Sequence, residues 1–146
     1  MERKRRYERL SDISVEILRN VPGITINQAN GAFYMSLVFE NNILTYNQKL
    51  PVENENIRCF LKKLIAGTKN KLDKIFVYYL LAATGICMVP LSSFNTDLLG
   101  VRFTLLETDE TSFISMVKTL ARSICVYLES DSPLFFDSKY EANSKV

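Results

Sequence analysis

The chain has 146 residues, 47% of them hydrophobic, enough to bury one real core and suited to a single domain. Eighteen basic residues against 16 acidic ones leave a net charge of +2, so nothing points to a nucleic-acid partner or a membrane surface. Histidine is absent, which excludes Ser-His and Cys-His nucleophilic chemistry and the commonest zinc-binding sets.

At the start, Arg3, Lys4, Arg5 and Arg6 make a basic first turn, read as a solvated face rather than a nucleic-acid arm. Tyr7, Leu10, Ile13, Ile17, Leu18 and Val21 then recur at helical spacing, and Pro22-Gly23 ends the helix. No apolar signal-peptide core follows the basic start, and no apolar run approaches membrane-spanning length. Residues 23–26 and 31–39 read as two strands joined by the turn-prone Asn27-Gln28-Ala29-Asn30. The run 33–39 is apolar on both faces, which predicts a strand covered on both sides.

Residues 40–51 form a polar loop. Ile57, Phe60, Leu61, Leu64 and Ile65 then mark a short amphipathic helix, with Glu53 and Glu55 near its start and Lys62 and Lys63 near its end. Gly67-Thr68-Lys69 lacks the first glycine and leading strand of a phosphate-binding loop. The lysines at 62, 63, 69, 71 and 74 are spread over two helix ends and a loop, as a solvated face would be. Leu72, Ile75, Phe76, Tyr79, Leu80 and Ala83 define the next helix, closed by Gly85. Val77, Tyr78 and Leu81 add apolar residues to its other side, so it is expected to be widely covered or to face a partner.

Residues 86–89 suit a buried strand stopped at Pro90, and the polar cluster in 91–99 suits a loop. From Gly100 to Leu106 the pattern alternates: Val101, Phe103 and Leu105 point one way, Arg102, Thr104 and Leu106 the other. Arg102 thus stands in a strand that reads as interior, where a guanidinium is costly unless an anion pairs with it. That anion is either an Asp or Glu of the same sheet or a bound ligand. Thr108-Asp109-Glu110 supplies a helix cap, and Phe113, Val117, Leu120, Ala121, Ile124 and Leu128 form the clearest helical stripe. Residues 129–146 are expected to be a flexible tail. Cys59, Cys87 and Cys125 match neither a metal set nor a disulfide framework and read as buried free thiols of a reducing, cytoplasmic setting. The order α-β-β-α-α-β-β-α predicts an α+β fold, a two-layer sandwich of helices on one small, mostly antiparallel sheet.

Thr84-Gly85-Ile86, Pro90-x-Ser92-x-Phe94 and Gly100-x-Arg102-x-Thr104-Leu105 together resemble the C-terminal small domain of pyridoxal-phosphate aminotransferases of fold type I. Leu91 departs from the motif, since many members carry glycine after the proline. The resemblance spans roughly Arg5 to Leu128, giving a small-domain-like unit over 1–128. It implies that Arg102 makes a two-pronged salt bridge to the α-carboxylate of an amino-acid or 2-oxo-acid substrate. Gly31-Ala32-Phe33-Tyr34 implies that Tyr34 helps line the substrate entrance. In the family the Schiff-base lysine, the acid at the pyridine nitrogen and the phosphate-binding groups lie in a large domain, and no lysine here has the matching setting. The resemblance therefore implies a truncated or split aminotransferase that holds no cofactor itself and is inactive alone. Pyridoxal phosphate belongs to the complete enzyme, and a missing large domain is the expected partner. Apolar surface left by that partner predicts self-association. Two alternatives stand beside this: a non-catalytic aminotransferase-like interaction module, and an unrelated α+β ligand-binding domain.

Overall fold

A computed structural model describes residues 2–66 and 71–131. Helix α1 (Glu2–Leu18) leads to strands β1 (Ile24–Ile26) and β2 (Tyr34–Phe39), followed by helices α2 (Glu55–Ala66) and α3 (Leu72–Thr84). Strand β3 (Val89–Pro90), a 3-10 turn (Leu91–Phe94), strand β4 (Gly100–Thr104) and helix α4 (Glu110–Glu129) complete the order. The strands form one antiparallel sheet in the order β1-β2-β4-β3, so the expected α+β architecture holds. Among the described residues no helix is long and apolar enough to cross a membrane.

Alternation along the strands decides which face is buried. Met35, Leu37 and Phe39 of β2 and Val101 and Phe103 of β4 turn inward with Leu105. They meet Leu10 and Leu18 of α1, Phe76 and Leu80 of α3, and Phe113, Val117, Leu120, Ile124 and Tyr127 of α4 in one core. Phe39, Phe76 and Tyr127 stack edge to face, with centroids 5.2 and 5.0 Å apart. α4 is the element the helical layer is built on. Asp109 caps it by accepting from the N–H groups of Thr111 and Ser112; the Ser112 hydroxyl first, then these N–H groups, hold its carboxyl below the ordinary range. An exposed fork between Arg9 and Glu110, at 2.6 and 2.7 Å, joins α1 to the first turn of α4.

Several expectations change. The alternate face of β2 has no covering layer, so the strand predicted to be covered twice is covered once: Tyr34 is exposed and Ser36 and Val38 are half-buried. The strand expected over 86–89 shrinks to Val89–Pro90, and Pro90 lies within it, opposite Val101. α1 ends at Leu18, four residues before Pro22, and its most buried side chains include Ser11 and Ser14. The polar loop 40–51 is packed rather than loose. Gln48 is buried and accepts from the Thr45 N–H while donating to the Ile43 carbonyl, and Leu44 and Leu50 are buried beside it. Cys59 and Cys87 are exposed and Cys125 half-buried, because α2 turns Cys59 outward and 85–88 does not join the sheet. Gly67-Thr68-Lys69 lies outside the described residues. The expected tail does so from 132 onward; Ser130 and Asp131 are tied to the 45–49 loop by hydrogen bonds with Lys49 and Thr45.

Candidate functional site

The open face of the sheet carries Arg102. Its cross-strand neighbours are Ser36 on β2 and Val89 on β3. The side chain is half-buried and its Nε is buried without a hydrogen-bond partner. Among the described residues, no Asp or Glu forms an ion pair with it. Its guanidinium instead lies against two rings, with Cζ 4.2 Å from the Phe94 centroid and 5.7 Å from the Tyr34 centroid. The anion that the sequence calls for is therefore not a neighbouring strut of the sheet.

Arg102 opens into a hollow of about 530 Å³. The β1–β2 loop contributes Asn27, Gln28 and Asn30, β2 contributes Tyr34 and Ser36, and the β3–β4 connection contributes Phe94, Thr96 and Leu98. Arg102 is the one charged side chain among the described residues lining it. Amide and hydroxyl groups beside a single cation and two apolar walls suit a small anionic ligand with an apolar part. Tyr34, named from the sequence, and Arg102 are thus brought together in one hollow.

Both loop walls are pinned from behind. The Ala29 N–H donates to Ser11 Oγ at 3.0 Å, and Gln28 Nε2 donates to Asp12 Oδ1, which fastens the amide-bearing loop to α1. The other wall depends on Asp73, in the first turn of α3. This carboxylate is fully buried and accepts from the Ser92 N–H at 2.9 Å, the Ser92 hydroxyl at 2.7 Å and the Gly100 N–H at 3.3 Å. Gly100 must be glycine here, because a Cβ would stand 2.2 Å from the Leu37 carbonyl oxygen. Sequence reasoning missed Asp73, taking the helix from its apolar residues. The signal was present: Asp73 falls in line with Phe76, Val77 and Leu80, the i, i+3, i+4, i+7 spacing of the buried face.

A larger hollow, about 770 Å³, lies between α1 and residues 28–32. Its charged members Lys4, Glu8 and Asp12 are all exposed, and Lys4 pairs with Glu8 at 3.6 Å. Those groups are exposed and paired, so the smaller hollow, with an arginine whose Nε is buried and unpartnered, is the better candidate.

The Arg102 hollow fits a carboxylate better than it fits pyridoxal phosphate. No lysine lines it to form a Schiff base and no acid lines it to face a pyridine nitrogen, among the described residues. The cofactor does not fit this lining by itself.

No family profile matches the chain. An uncharacterized aminotransferase of Methanocaldococcus jannaschii is 46% identical to it over 129 residues. That alignment covers 88% of this chain and 29% of the relative, so the chain spans under a third of that protein's length.

Proposed function

We propose, since the chain is an aminotransferase-like domain, that it supplies the carboxylate-holding side of a pyridoxal-phosphate-dependent aminotransferase and works when joined to a large domain. Arg102 carries the reading. It is an arginine on a strand with its Nε buried and unpartnered, no ion pair to an acid among the described residues and an open hollow beside it. A guanidinium fork offers a carboxylate two parallel charge-assisted hydrogen bonds, which fix both position and orientation. Phe94 and Leu98 would exclude water beside the bound acid, and Tyr34 would flank the entrance. When bound in the complete enzyme, pyridoxal phosphate supplies the electrophile and electron sink for amino-group exchange. The part of this chain is to hold the amino acid or 2-oxo acid still.

In a two-domain enzyme containing this chain, Arg102→Leu is expected to lower kcat/KM for transamination by roughly a hundredfold or more, the scale of removing one partner of a desolvated charge pair. Activity unchanged by that substitution would sink the assignment.

One observation favours a second role, as an interaction module. Ile57, Phe60 and Leu81 are exposed along an apolar groove between α2 and α3, which leaves the helix expected to be amphipathic with an open apolar face. We assign this groove to contact with a second copy of the chain. Sedimentation showing a clean monomer at high concentration, with no binding of a hydrophobic dye, would count against it.

A further inference from the structure

We infer that Asp73 and Phe94 are positioning residues for Arg102: a buried carboxylate on α3 fastens both ends of the β3–β4 connection, so that Phe94 lies on the guanidinium. The inference rests on the reading of Arg102 as the carboxylate holder and deepens it. Asp73 is fully buried, yet no ion pair to a cation is present among the described residues. Its acceptor capacity goes to Ser92 and Gly100. Ser92 stands two residues before Phe94, and Gly100 stands two residues before Arg102. One carboxylate therefore sets the anchor of the ring and the anchor of the cation together. The two bonds from Ser92, at 2.9 and 2.7 Å, are the closer anchor, and the Gly100 N–H, at 3.3 Å, is the looser one.

Phe94 has little structural reason to be where it is. It remains 46% exposed, outside the core, at the end of a 3-10 turn closed by Asn95 in the left-handed conformation. Its close contact is the face of Arg102 at 4.2 Å. That ring, with the Tyr34 ring also near, limits where the guanidinium can swing. Freed from the ring, a long arginine samples many rotamers and holds a carboxylate less well.

The test is NMR of the Arg102 Nε–Hε group in the full chain, for wild type, Asp73→Asn and Phe94→Leu, each titrated with pyruvate against a chloride control. Without ligand, the ring should move the wild-type resonance upfield. Phe94→Leu should abolish that displacement and Asp73→Asn should reduce it. With pyruvate, both variants should bind about tenfold more weakly, the scale of one charge-assisted hydrogen bond. Asp73→Asn does not make the hollow less positive, so weaker binding separates positioning from bulk charge. A folded Asp73→Asn chain with wild-type resonance and affinity would overturn the inference. If Asp73→Asn fails to fold, Phe94→Leu decides, and unchanged affinity in that variant overturns the inference equally. A wild-type resonance that ignores pyruvate, with the ring displacement still dependent on Asp73 and Phe94, would bring down the carboxylate reading and leave the positioning intact.

Discussion

The two faces of the sheet do opposite things with the same strands. On the packed face, Met35, Leu37, Val101 and Phe103 are buried against three helices. On the open face, one residue along at each step, Tyr34, Ser36, Arg102 and Thr104 meet no covering layer. Strand geometry permits this division, since a period of two separates neighbours onto opposite faces while one backbone fixes both. The packed face holds the strands in place, and the open face inherits that frame for an arginine that no acid among the described residues pairs with. On the proposed reading, stability and ligand-holding are divided between alternate residues of β2 and β4.

Substitutions should show this asymmetry. Leu37→Ala removes a fully buried side chain from the packed face and is expected to cost about 3 kcal/mol. Urea unfolding measures it, and a loss below about 1 kcal/mol would mean that the core does not depend on this face. Asp73→Ala comes next. It strands the buried Gly100 N–H and the Ser92 donors, at an expected cost of about 2 kcal/mol together with loosening of the 91–99 connection. Faster amide exchange confined to that connection, with the core still protected, is the accompanying sign.

Tyr127 provides the smallest effect on the packed face. Its hydroxyl is buried without a partner, and burial, together with the nearby Tyr79 phenol, pushes its pKa well above the ordinary tyrosine value. Tyr127→Phe removes an unsatisfied group, so it is expected to be neutral or to stabilise by up to about 1 kcal/mol. A raised folded-state pKa contributes stability that is complete below the unfolded value of about 10 and is lost as the pH rises through that value towards the folded one. Unfolding midpoints at about pH 9 and about pH 11 should therefore fall further in wild type than in Tyr127→Phe. Equal falls would place the alkaline loss elsewhere.

The alternation in 100–106, the stripe of α4, the Asp109 cap and the left-handed Gly85 were all legible, because each is a local pattern with a local cause. Coverage was not. Periodicity reports which face of an element is apolar, not whether another layer arrives to cover it. Residues 33–39 looked doubly buried for that reason, and the apolar face of α2 looked like core while Phe60 is 66% exposed. Cysteine misled in the same way, since its usual burial is a tendency of the residue type and not of a position. Asp73 escaped because its partners lie 19 and 27 residues away, and an acid in the first helical turn has an ordinary local explanation. The strand showed that Arg102 needs an anion and the surrounding motif favoured a ligand, while the lack of an ion pair among the described residues needed the packed structure.

Thermal melting of wild type and Arg102→Leu over a range of pyruvate concentrations bears most directly on that arginine. If Arg102 is held ready for an acid ligand, Arg102→Leu melts at or above the wild-type temperature without ligand. Pyruvate then raises the wild-type Tm in proportion to binding and leaves the variant unmoved. A loss of about 3–5 kcal/mol in Arg102→Leu, the cost of breaking a buried ion pair, with no response of wild type to pyruvate, would make Arg102 a structural strut and contradict its role as a ligand arginine.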